Sequence, residues 1–218
     1  MAVDDGLTGA EMMTQVCNTV RMDVTDTAIQ TRVAVWLNSA QRWLFNNFEW
    51  PELLVLDGSF TTDASDSYDL TSAAILSASF GKLKAQSVRI GTRFLESKSK
   101  VFWDSHDAAR TIGGTPWYYG QLSRTDFRLY PYGDTGSTVY LDYYKYPDKI
   151  TYATVAADQS FEAPRHDLIV QGAMWEAMFT YGIGDWKAAK RDFEKDAKQS
   201  FKKSSPIRES VIFTNPTF

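Results

Sequence analysis

Apolar residues recur at helical spacing at both ends of the chain and at strand spacing between them. Met13, Val16, Cys17 and Val20 fall on one helical face. Just before them Thr8 and Glu11 form a T-x-x-E capping box, and Leu7 and Met12 hold the staple positions on either side of it. A first helix follows, with Cys17 as a small buried hydrophobe. A second begins after Asp26, an N-cap residue, and carries Ile29, Val33, Trp36, Leu37, Ala40, Trp43, Leu44 and Phe48. That stripe is broad enough for more than one neighbour. Pro51 closes the helix, because the residue before proline is pushed out of the α region.

Beyond Leu53 the spacing changes. Leu53–Leu56, Val88–Ile90, Val101–Trp103, Phe127–Tyr130 and Val139–Tyr146 are short apolar or alternating runs separated by Gly, Asp, Ser and Pro, the pattern of short antiparallel strands. TDASDSYDLTSA reads as a loop with a short strand, and RTIGGTPWYYG as a long glycine-broken loop. In the last run Val139, Leu141 and Tyr143 face one way, towards a core. Tyr140, Asp142, Tyr144 and Tyr146 face the other, as an aromatic surface.

Helical spacing returns after Pro164 with Leu168, Ile169, Ala173, Trp175, Glu176 and Phe179. Gly182 and Gly184 break this helix, and Asp185 can cap another. In the final helix Trp186, Ala189, Phe193, Ala197 and Phe201 lie on one side. Lys187, Arg191, Lys195, Lys198 and Lys202 fall within a sector of roughly 80° on another. Asp192, Glu194 and Asp196 lie off that row. The stripe reads either as a solvated face with i,i+4 pairs or as a contact for an acidic partner or DNA.

The chain then runs into SSPIRESVIFTNPTF. Pro206 and Pro216 deny it a long helix, while Ile207, Val211, Ile212, Phe213 and Phe218 make it too apolar for an ordinary solvated end. Such a tail tucks onto its own domain or docks on a neighbouring subunit. The fold class expected is α+β: a helical bundle of residues 1–52 and 163–203, a large antiparallel β-rich insertion at 53–162, and an extended tail at 204–218. Neither helix pair alone offers enough partner surface for its apolar stripe, which favours one body over two.

Composition narrows the function classes. At 218 residues, 44% hydrophobic and 23% charged, the chain is a globular protein with a sizeable core. No apolar run approaches the roughly 20 residues that span a bilayer, and the acidic start MAVDDGLTGAEMM lacks the form of a secretory signal. The expectation is synthesis in the cytoplasm and no membrane. A net charge of −4 argues against non-specific nucleic-acid binding as the main activity. The lone Cys17 excludes an intrachain disulfide and a cysteine metal site. Aromatic residues make up 14% of the chain, which supplies core, interface or sugar-stacking surface.

Catalytic motifs do not emerge. The sequence holds no G-x-S-x-G, H-E-x-x-H, P-loop or dinucleotide fingerprint. His106 lies in W-D-S-H-D beside Asp104, Ser105 and Asp107, but triad members converge from separate parts of a fold, so a solvated turn is expected. His166 reads as surface or capping decoration. Asp63, Asp66 and Asp69 lack the glycine and terminal glutamate of a calcium loop and read as a polar turn. No catalytic residue, metal or cofactor is assigned. Trp117, Tyr118, Tyr119, Tyr132, Tyr140, Tyr144 and Tyr146 could stack on sugars, centre a protein interface, or fill a core.

Three segments carry a resemblance: LNSAQRWLFNNFEWPEL, the strand YLDYYKYPDKIT, and PRHDLIVQGAMWEAMFTYGIGDWKAAKRDFEKDAKQSF with its apolar tail. Together they resemble the head-to-tail adaptors (connector, or tail tubular protein A-like) of tailed bacteriophages. The resemblance implies a structural virion protein of the neck or tail, not an enzyme. It implies a homo-oligomeric ring of about twelve subunits between the portal protein and the tail nozzle or tube, a closed cyclic assembly. Genomic DNA would pass through without being read, and the tail would reach the portal or a neighbouring subunit. A carbohydrate-binding or envelope-degrading tail protein using the aromatic β region is the alternative, and a DNA-contacting protein using the basic stripe a third reading.

Overall fold

The computed structural model describes residues 6–204, save Asp66, residues 107–111 and Arg124. The chain divides into two compact units: Met1–Leu53 with Pro147–Phe218, and Leu54–Tyr146. The class is α+β, helices in the first unit and mostly antiparallel sheet in the second.

The first unit is built on four helices. α1 (Gly9–Val20) starts on the expected capping box: the Glu11 N–H donates to Thr8 Oγ1 and the Thr8 N–H to Glu11 Oε2. α2 (Thr27–Asn47) is capped by Asp26, whose Oδ1 accepts from the Ala28 N–H at 2.8 Å. Past a short α3 (Lys100–His106) in the other unit, α4 (His166–Tyr181) follows a 3-10 turn at Ala163–Arg165 and ends on Gly182 in the left-handed region. α5 (Trp186–Ser204) is capped by Asp185.

α4 is the hub of this unit, packing against α1, α2 and α5. A helix so enclosed must be apolar on several sides, and Leu168, Ile169, Val170, Ala173 and Ala177 are all buried. Gly172 permits the closest approach: a Cβ there would lie 2.5 Å from Ala40 Cβ and 3.1 Å from the Phe193 ring. The aromatic turn after α2 seats α5. Trp43 meets Phe193 at 4.8 Å between centroids, Phe48 meets Phe201 at 5.1 Å, and the fully buried Trp50 touches Phe201 and Phe161.

Residues 147–162 have little regular structure, so α2 side chains satisfy their backbone. Asn38 treats Ile150 as a strand partner: its Nδ2 donates to the Ile150 carbonyl and its Oδ1 accepts from the Ile150 N–H. Gln41, buried, donates to the Asp148 carbonyl at 2.6 Å.

The second unit centres on β10 (Thr138–Lys145). It pairs with β1 (Leu54–Thr61) along one edge and with β2 (Phe80–Leu83) and β3 (Arg89–Ile90) along the other; β3 continues into β4 (Arg93–Phe94). A smaller sheet joins β5 (Glu96–Ser97), β7 (Tyr118–Gln121) and β8 (Phe127–Tyr130), and β6 (Gly113–Gly114) pairs with β9 (Tyr132–Gly133). Phe60, Tyr68, Leu70, Phe80, Phe127 and Leu141 are among the residues filling the core.

Three expectations change in this unit. Val101–Trp103 is not a strand but part of α3 (Lys100–His106), where Lys100 pairs with Asp104 at 2.8 Å across one turn. Three apolar residues are too few for periodicity to separate helix from strand. RTIGGTPWYYG is not all loop, since it supplies β6 and β7; Gly113 and Gly120 lack the Cβ that would strike Tyr132 and Trp103. Tyr144, placed on the aromatic surface, is 5% exposed, because Leu54 and Lys82 flank it in register on both sides. Tyr119 is buried as well.

Candidate assembly surfaces

The expected tail contacts, Ile207, Val211, Ile212, Phe213 and Phe218, lie outside the described residues. The anchor from which that tail departs is within them. Arg165 ends the 3-10 turn before α4, and its guanidinium lies 5.0 Å over the Trp50 ring. One terminal nitrogen donates to Ser200 Oγ at 3.0 Å and the other to Ser204 Oγ, gripping the last turn of α5. Its Nε stands 3.5 Å from Glu52 Oε1, with both side chains largely buried. At that separation the pair attracts by charge without a directed hydrogen bond, and neither atom has one elsewhere among the described residues. Burial is the main influence on Glu52 and pushes its carboxyl above the usual range, only partly offset by Arg165.

His166 is not surface decoration. It is 1% exposed and closes the unit: Nδ1 accepts from the Leu7 N–H at 2.8 Å, which leaves the proton on Nε2 to donate to the Phe161 carbonyl at 2.9 Å. His106 is the final residue of α3, and Asp107 lies outside the described residues. Asp63 and Asp69 each accept from a backbone N–H two residues on, as turn-formers do; Asp66 lies outside the described residues.

The basic stripe is presented in full. Lys187, Arg191, Lys195, Lys198 and Lys202 are exposed, and none forms an ion pair among the described residues. The i,i+4 pair on this helix instead joins Lys190 to Glu194 at 4.0 Å, beside the stripe. Lys187 rests over its neighbour Trp186.

A separate apolar corner lies where α4 meets α5. Phe179 is 57% exposed and packs edge-on against Trp186, with Ile183 exposed beside them in the turn. Tyr181 meets Trp36 edge-on and accepts from Arg32.

In the sheet unit, cations lie over many of the aromatic rings. Arg93 lies 4.2 Å over Trp117, Arg89 4.7 Å over Tyr140, Lys98 4.6 Å over Tyr118, and Lys82 5.5 Å over Tyr144. A sugar platform needs open ring faces, and these rings each have one face occupied. Trp117, Phe94, Leu56 and Val101, all more than half exposed, are the prominent apolar groups there.

The family model described as SU10 adaptor protein matches residues 7–209. The chain belongs to the SU10 adaptor protein family. This is a phage head-to-tail adaptor family, and the role of the chain is structural. The matched span begins at Leu7, the residue latched by His166, and runs through the whole sheet unit, so the adaptor carries its β region as part of the family pattern. No curated protein matches the adaptor significantly. Among the described residues no helix is long and apolar enough to cross a membrane.

Sequence reasoning missed Arg165, Glu52 and Trp50 as a cluster, and misread His166. Trp50 and Glu52 stand far from Arg165 and His166 in the chain, and only Trp50, in an aromatic run before a proline, gave a local signal.

Proposed function

We propose that this adaptor assembles into a closed ring of about twelve copies, seated in the virion neck between the portal and the tail nozzle or tube. The observation that carries the reading is the family match across residues 7–209. The protein is made in the host cytoplasm and joins the particle there. Genomic DNA passes through the ring without being read by sequence, and no membrane is involved. Assembly is the activity, with no catalytic step assigned.

In this reading the helical unit forms the ring wall, keeping Pro147 to Glu162, which the sequence alone places in the insertion; Leu54–Tyr146 is the β-rich insertion, and residues 204–218 reach outward. The apolar tail docks on the portal or a neighbouring subunit through Ile207, Val211, Ile212, Phe213 and Phe218. Support comes from Arg165, whose bonds to Ser200 and Ser204 fasten the last turn of α5, after which the tail sequence follows. The net charge of −4 suits a passage for DNA, because a basic lumen would retain phosphates.

The test is a chain ending at Ser204, mixed with portal assemblies beside the full-length protein. Loss of attachment with an unchanged far-UV helical signal is expected. Normal attachment of the shortened chain would remove the tail from the account.

A further inference from the structure

A ring requires two different faces on every subunit, one meeting the other on the next copy. The helical unit carries two flanks of opposite charge. α5 bears seven Lys and Arg against three carboxylates, and its outward stripe is exposed and unpaired among the described residues. The other flank is formed by α1 and the segment that supports it. The Gly9 N–H donates to the Thr154 carbonyl at 2.7 Å and Gln159 to the Leu7 carbonyl at 3.1 Å, so residues 151–159 lie against the start of α1.

This second flank is acidic. Residues 6–20 and 150–159 contain no Lys or Arg, while Glu11 and Asp158 are exposed upon them. Hydrogen bonds from Thr8 hold the Glu11 carboxyl below its usual range and thus ionised. Between the charges stand Tyr152 and Val155, 45% and 50% exposed. α1 and α5 both pack on α4 and make no extended contact with one another, so the two flanks are separate faces.

Resting on the ring reading above, we propose that the α5 stripe of one subunit seats on the Glu11–Asp158 flank of the next copy, with Tyr152 and Val155 as the apolar centre. DNA is the weaker occupant, because three carboxylates share the same helix and the whole chain is acidic. The contact is head-to-tail, and complementary charge selects its register and excludes like faces.

A charge-swap series on the full chain tests this, with rings on purified portal assemblies counted by negative-stain microscopy. One variant carries Lys195→Glu with Lys198→Glu, a second Asp158→Lys, and a third all three changes. Each single-flank variant should form rings at least about tenfold less readily, and the combined variant should recover to within about threefold of the unmodified protein, since opposite charges again face one another. Rings of the unmodified protein should also weaken as salt is raised. Rings at the unmodified level in both single-flank variants, or no recovery in the combined one, would overturn the pairing while leaving the ring intact. Loss of DNA affinity with normal rings in the first variant would assign the stripe to DNA instead. An unmodified chain that forms no ring on portals would remove the ring and this contact together.

Discussion

The backbone N–H of Leu7 donates to Nδ1 of His166 across 159 positions of sequence, at 2.8 Å. Because the same imidazole donates from Nε2 to Phe161, one buried side chain fastens the start of α1 and the approach to α4. The helical unit is discontinuous in sequence, and this latch joins its two pieces.

His166→Leu should therefore destabilise the helical unit. The substitution keeps the volume apolar but strands the Leu7 N–H and the Phe161 carbonyl, and an unpaired buried polar group costs about 1–3 kcal/mol. A lower urea midpoint is expected, with α1 amides exchanging hydrogen faster. An unchanged midpoint would show that the latch contributes nothing.

Glu52 makes stability depend on pH. Its carboxyl is raised above the ordinary 4.5, chiefly by burial, so the folded chain keeps a proton that the unfolded chain has released. Stability from this group is thus full below 4.5 and declines as pH rises through the raised folded value. Glu176 is raised too, mainly by burial, and adds in the same direction. Glu52→Gln cannot ionise. Apart from a constant offset for exchanging the acid for the amide, the variant should gain on the unmodified protein across that window and then level off. Denaturant midpoints measured from acid to neutral pH check this; a pH-independent difference between the two proteins would contradict it.

Gly172→Ala tests the packing of α4. Alanine favours a helix by about 1 kcal/mol over glycine, but the new methyl would stand 2.5 Å from Ala40 Cβ. Overpacking of this kind costs about 1–3 kcal/mol. A lower thermal midpoint is expected, and a higher one would mean that α2 and α4 separate freely.

Much of the helical unit was legible because its signals are local. Thr8 with Glu11, Asp26, Asp185 and Gly182 mark helix ends within a few residues, and the stripes of α1, α2 and α5 repeat at short range. The sheet unit was harder. Val101–Trp103 became helix because its packing partners are distant in sequence: Phe102 meets Tyr118 and Tyr130 edge-on, and Trp103 meets Tyr130. Tyr144 is buried although alternation along β10 sets it opposite Tyr143; its neighbours Leu54 and Lys82 come from other segments, which the sequence of one strand does not disclose.

The candidate surfaces divide in the same way. The basic stripe could be read from helical geometry alone, and all five of its cations are exposed. The grip of Arg165 on Trp50, Ser200 and Ser204 could not, since it joins three segments scattered over most of the chain.

Electron microscopy of purified portal assemblies incubated with the full-length chain tests the central claim most directly. The account predicts an added closed ring of adaptor subunits beneath each portal, with an open axial passage. Bare portals, with the chain remaining monomeric at every concentration tried, would contradict it.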